Sequence, residues 1–93
     1  MVKEDSIKIF LSNGITITVK GSEKIYDKKC NEIEFTDLYK YIASSYTKKE
    51  DIIFSVDITN TYKDENEKEA TQEITHEYYI PCEKITWFMK ESI

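Results

Sequence analysis

Apolar side chains fall on every second residue along much of this chain. That rhythm puts them on one face of a pleated strand and scatters them around a helix. It is plainest in Ile7-Lys8-Ile9-Phe10-Leu11, in Ile15-Thr16-Ile17-Thr18-Val19 and in Ile52 to Ile58. The residue types agree with it, since 14 Ile, 9 Thr and 3 Val stand against 2 Leu and 2 Ala. β-Branched side chains are stiff at χ1 and fit a pleated surface, whereas Leu and Ala favour helices. A mostly β protein follows. Its 93 residues suit one domain, expected over 1–93, with one modest core and little room for a deep cofactor cleft.

The first hairpin can be read down to its register. A two-residue Asn13-Gly14 turn would pair Leu11 with Thr16 and mix apolar with polar on each face. A three-residue Ser12-Asn13-Gly14 loop instead pairs Leu11 with Ile15, Ile9 with Ile17 and Ile7 with Val19. It also puts Gly14 at the left-handed bulge position, where a missing Cβ helps. The three-residue loop is preferred. Lys24-Ile25-Tyr26 and Asn31 to Phe35 are short strand candidates around an Asp27-Lys28-Lys29 turn. A helix is expected near 37–46, capped by Thr36 or Asp37, because Leu38, Tyr41, Ile42, Ser45 and Tyr46 share one face at helical spacing.

Ile52 to Tyr62 reads as the strongest strand, and Gln72 to Ile80 as its return across a charged tip at Lys63–Glu69. Like charges opposite one another destabilise a sheet, which disfavours Asp57 facing Glu77 or Glu73. The intermediate register pairs Phe54 with Tyr78, Val56 with His76, Asp57 with Thr75 and Ile58 with Ile74. At the tail, Ile85, Trp87 and Met89 alternate as in a strand, although Ile85, Phe88, Met89 and Ser92 also fit a helix; the strand is preferred, closing a three-stranded meander. The expected architecture is α+β: mainly antiparallel, about five or six strands in a curled sheet or small open barrel, with one short helix packed across it.

Composition excludes several functions. All 13 basic residues are lysine, so there is no arginine finger and no bidentate guanidinium clamp on phosphate or base. With 18 acids the formal net charge is −5, which repels a nucleic-acid backbone unless the lysines segregate. Met1 to Asp5 lacks the apolar region of a signal peptide, and no apolar stretch approaches the roughly 20 residues that cross a bilayer. A cytoplasmic protein with reduced Cys30 and Cys82 is the expectation. No metal or cofactor is expected: His76, Cys30 and Cys82 are too few for a structural zinc site. No nucleotide-binding or hydrolase motif occurs.

Catalytic pairings fare no better. His76 and Cys82 lie six residues apart, about 20 Å along an extended strand, against the 3 Å a thiol–imidazole dyad needs. His76 reads instead as a core-edge residue of the apolar face. Asp57 and Glu77 share a face, but their neighbours Ser55, Thr59 and Thr75 point to a solvated surface rather than an acid–base pair. An enzyme is not expected.

The acidic run Asp64 to Glu69, continued by Glu73 and Glu77, supports a sharper idea. Carboxylates spaced along a rigid hairpin can occupy a basic groove built for nucleic acid on another protein. Glu65, Glu67, Glu69, Glu73 and Glu77 are the candidate contacts, set against the plain alternative of a solvated loop. Among seven tyrosines, Tyr39 lies off the helical stripe and Tyr79 faces away from the expected core. Either they anchor an interface or a second layer covers them. In size, acidity and arginine-free, Ile/Lys-rich composition, the chain resembles small accessory proteins of phages and other mobile elements with AT-rich genomes. The resemblance carries no motif and transfers no residue. It implies a class, compact binders of host proteins, among them inhibitors of nucleic-acid-targeting defence systems such as anti-CRISPR proteins. A non-enzymatic protein-binding module is therefore the leading expectation. The alternatives are an assembly protein that self-associates through a sheet edge, and a nucleic-acid binder using Lys20, Lys24, Lys28 and Lys29.

Overall fold

A computed structural model describes residues 4–92. In chain order the elements are β1 (Ser6–Leu11), β2 (Thr16–Lys20), β3 (Lys24–Asp27), β4 (Glu32–Ile33), α1 (Phe35–Lys48), β5 (Ile52–Lys63), β6 (Glu69–Ile80), a 3₁₀ turn (Cys82–Lys84) and β7 (Ile85–Glu91). Every strand pairing is antiparallel. The strands form two sheets, ordered β2-β1-β7 and β4-β3-β5-β6, and neither closes into a barrel.

Both long registers follow the side-chain pattern. Ile7 faces Val19 and Ile9 faces Ile17, with the Leu11 N–H donating to the Ile15 carbonyl at 2.9 Å. Gly14 sits at φ +87°, a backbone conformation only glycine adopts without a Cβ penalty. In the second hairpin Phe54 faces Tyr78, Val56 faces His76, Asp57 faces Thr75 and Ile58 faces Ile74. Ser55, not a second carboxylate, stands opposite Glu77.

The core gathers Ile7, Ile9 and Val19 from one sheet, Ile25, Ile52, Phe54, Val56 and Ile80 from the other, and Leu38 and Ile42 from the helix. Burying each such side chain stabilises the fold by about 1.5–3 kcal/mol. The helix begins earlier and ends later than its apolar spacing indicates. Glu34, rather than Thr36 or Asp37, is the N-cap. Asp37 instead sits at N3 and accepts the Glu34 N–H at 3.4 Å. At the other end Lys49 turns left-handed at φ 59°, with Glu50 N–H donating to Ser45 O at 2.8 Å and Lys49 N–H to Tyr46 O at 3.3 Å.

The tail is a strand, but it does not complete a meander. Pro81 and the 3₁₀ turn reverse the chain away from β6, and β7 instead pairs with β1. The Ser12 N–H to Lys84 O bond, 2.9 Å, ties this corner to the first hairpin. A bulge opposite Phe10 and Leu11 brings Ile85 inward, where it is buried, and sets Phe88 beneath the helix. His76 also departs from expectation. It shares a face with Tyr78 but is exposed, because it stands on the edge strand of its sheet, whereas Val56 opposite it on the inner strand β5 is buried.

Candidate partner-binding surface

Beyond Ile58 and Ile74 the β5–β6 hairpin leaves the body of the protein. From Thr59 to Glu73 every residue is exposed except Ala70, which is half-buried. A strand advances about 3.4 Å per residue, so the ribbon reaches about 25 Å past Ile58. The molecule measures 51 × 29 × 27 Å accordingly. Its radius of gyration, 14.9 Å, exceeds the roughly 12 Å of a compact chain this long.

The ribbon's tip is held by its own aspartate. Asp64 Oδ1 accepts the N–H groups of Asn66 at 2.9 Å and Lys68 at 3.0 Å, while Asp64 N–H bonds Lys68 O and Glu67 N–H bonds Asp64 O. Glu67 is thereby kept at φ 60°. The β3–β4 turn repeats the arrangement: Asp27 Oδ1 accepts Lys29 and Asn31 N–H groups, both at 2.9 Å, and Cys30 sits at φ 65°. Those bonds, the Asn31 amide foremost, hold the Asp27 carboxyl below the usual carboxylate range. Three hairpin turns thus share one geometry. In the first, glycine takes the left-handed position; in the other two, an aspartate holds a residue that would otherwise avoid it. The matching spacing of Asp27 to Asn31 and Asp64 to Lys68 is a signal available in the sequence but overlooked when it is read for hydrophobic rhythm alone.

Glu65 and Glu67 lie in this tip, and Glu69, Glu73 and Glu77 follow along one face of β6. Among the described residues none of the five has a salt-bridge partner; the ion pair present joins Lys8 to Glu91 at 3.5 Å. Asp57, on the adjacent strand, lies on the same face and accepts the Thr75 hydroxyl at 2.6 Å. Glu69, Glu73, Asp57 and Glu77 therefore place four carboxylates along about 27 Å of strand. That is about one per 7 Å, sparser than the 3.4 Å axial spacing of phosphates on one nucleic-acid strand. Such a row matches a few lysines or arginines and does not reproduce a duplex. Farther across the same face, partial desolvation and the Asp57 and Glu32 carboxylates push the Tyr26 phenol up.

The two candidate tyrosines part company. Tyr79 is 64% exposed, and its hydroxyl donates to Asp51 Oδ2 at 2.6 Å. That bond and the Asp51 charge raise its pKa. Its ring is thus presented outward and held in place. Tyr39 is half-buried, with its ring 6.0 Å from that of Phe88 on β7. Here the second-layer alternative holds, because β7 crosses to the first sheet and runs beneath the helix, so Tyr39 offers little surface to a partner. The Asp51 clamp joins residues 28 apart and has no local signature.

The four candidate lysines do not segregate. Lys20 and Lys24 share a shallow cleft with Glu4, Glu23, Asp57 and Glu73, while Lys28 and Lys29 sit in the turn at the other end of β3. Cys82 Sγ lies 3.8 Å from the Tyr46 carbonyl, and His76 Nδ1 lies 3.4 Å from the Tyr78 hydroxyl, so each has a separate neighbour. Cys30 is exposed. Among the described residues no three His, Cys, Asp or Glu side chains converge as metal ligands, and no helix is long and apolar enough to cross a membrane. On the outer face of the first sheet, Trp87 is 61% exposed opposite Phe10. Comparison with known protein families, curated proteins and solved structures finds no match to this chain.

Proposed function

We propose that the protein is a non-enzymatic binding module whose projecting acidic hairpin occupies a basic, nucleic-acid-binding surface on another protein and so inhibits it. The observation that carries this reading is the ribbon from Thr59 to Glu73: fifteen residues with almost no part in the core, bearing five carboxylates against two lysines. A segment with almost no part in the core, whose tip is nonetheless closed by the Asp64 hydrogen bonds, suits recognition at low ordering cost. Tyr79, clamped by Asp51 on the same face as Glu77, supplies an aromatic anchor beside the charges. The compositional resemblance to mobile-element accessory proteins supports an intracellular host protein as the partner, with inhibitors of the anti-CRISPR kind as the class.

The test is affinity capture from a host lysate with the wild type and with the triple variant E65K/E67K/E69K. The reading expects captured proteins that bind nucleic acid, are released by added duplex DNA, and are lost or strongly reduced with the variant. Equal capture by the variant, or capture indifferent to DNA, would overturn it. A second reading, self-association, draws on the exposed Trp87 beside half-buried Phe10. Sedimentation over a micromolar concentration range separates the two, since a stable homo-oligomer favours assembly.

A further inference from the structure

We infer that the unpaired edge of β6 takes up a basic β-strand from the partner, so that the protein engages it by extending its own four-stranded sheet. This rests on the reading of the acidic hairpin as the contact surface and states how that contact is made. β6 ends its sheet, with β5 on one side only. The bond from Asp64 N–H to Lys68 O fixes which residues face which way. Hydrogen-bonded pairs alternate in an antiparallel ladder, and the β5–β6 register is unbroken over twelve pairs. Ala70, Gln72, Ile74 and His76 therefore bond to β5. Glu69, Thr71, Glu73, Thr75 and Glu77 turn their N–H and C=O groups outward.

The other sheet edges carry features that discourage pairing. β4 is two residues long, β2 is five residues ending at Lys20, and β7 has a bulge and Lys90. Short edges, charged side chains, prolines and bulges are the usual protections against strand addition, and charge protects against like charge only. From Glu69 to Ile80, β6 has no lysine, proline or bulge. It is a long, regular edge whose side chains supply one discriminating feature, carboxylates at every fourth residue. A second copy laid antiparallel over Glu69–Glu77 would set Glu69 against Glu77 and Glu73 against Glu73, and like charges directly opposite destabilise a sheet. A strand with lysine or arginine at i, i+4 and i+8 instead meets opposite charge at all three positions. Strand addition of this kind draws affinity from main-chain bonds and specificity from alternate side chains.

The test uses the full-length protein and the peptide Lys-Thr-Thr-Val-Lys-Thr-Thr-Val-Lys as probe. Residue-resolved amide hydrogen exchange is expected to slow at least tenfold at Thr71, Glu73 and Thr75 when the peptide binds. Gln72 and Ile74, already bonded to β5, stay unchanged. The same peptide with its backbone nitrogens methylated at the three lysines and at the third and seventh residues, the two threonines that would face Thr75 and Thr71, keeps every charge but cannot form the ladder, so it should give no protection. Thr71→Pro removes one outward N–H without touching the β5 ladder, a placement edge strands tolerate; it should weaken peptide binding about tenfold, with Thr71→Ala as the matched control. Binding of the N-methylated peptide as tight as that of its parent, or binding without slowed exchange at those three amides, overturns strand addition and leaves the acidic hairpin as a purely electrostatic contact. Failure of the lysine peptide to bind at all overturns both readings.

Discussion

Replacing residues 61–71 with Asn-Gly tests whether the ribbon is an appendage of the fold or part of it. Asn60 and Gln72 face each other and form a hydrogen-bonded pair, so a two-residue type I′ turn closes the shortened hairpin in register. The segment removed holds one half-buried residue, Ala70, and one large ring, Tyr62, which is 49% exposed. At about 0.8 kcal/mol per buried CH₂ and 1.5–3 for a fully buried large side chain, the lost transfer energy is at most about 1.5 kcal/mol. Removing the left-handed Glu67 returns about 1 kcal/mol. The ladder bonds lost are solvent-exposed and are offset by the ordering entropy of the eleven residues they held. The net change should stay within about 1 kcal/mol, or about 4–8 °C in Tm for a domain of this size. Urea unfolding followed by circular dichroism measures it, with Ile42→Ala as a reference that should lose about 2–5 kcal/mol from the core. A loss above about 2 kcal/mol on shortening would refute the reasoning, because the ribbon would then belong to the folding unit and its exposure would no longer argue for binding.

The turn chemistry predicts that Cys30→Gly and Glu67→Gly each raise stability by about 0.5–1 kcal/mol, whereas Gly14→Ala lowers it by about 1–2, all read by urea unfolding. Asp27 has a lowered pKa in the folded state, so its contribution is present above the ordinary carboxylate value and fades as pH falls through the folded one. Thermal melts from pH 6 to pH 2 should therefore show acid destabilisation that Asp27→Asn flattens. Tyr26, Tyr78 and Tyr79 have raised values, Tyr78 through burial first, so their contribution holds below about pH 10 and is lost as pH rises further. Tyr79→Phe, which removes the hydroxyl bonded to Asp51, should soften alkaline unfolding.

The surface was legible in part. Glu65, Glu67, Glu69, Glu73 and Glu77 could be placed on the second hairpin because their positions depend on strand period and turn location alone. Tyr39 and Tyr79 could not be told apart by the same means. Each lies off its element's apolar stripe, and what separates them is distant: Phe88 covers one, and Asp51 clamps the other in the open. His76 alternates with core residues yet is exposed, because the cover over this face reaches Val56 on the inner strand and not its neighbour on the edge.

Strand identity, the two long registers and the hairpin turns are written in the chain because they arise from neighbours. Alternation chooses a face, glycine or aspartate closes a turn, and carboxylates avoid facing one another across a few ångströms. The partner of β7, the division into two sheets and the length of ribbon left bare depend on which surfaces meet after the chain collapses. Ile85 and Phe88 carry the same local pattern whether they pack on β6 or on β1. Pro81 and the 3₁₀ turn, together with the room beneath the helix, chose β1, a long-range packing outcome that local periodicity does not encode.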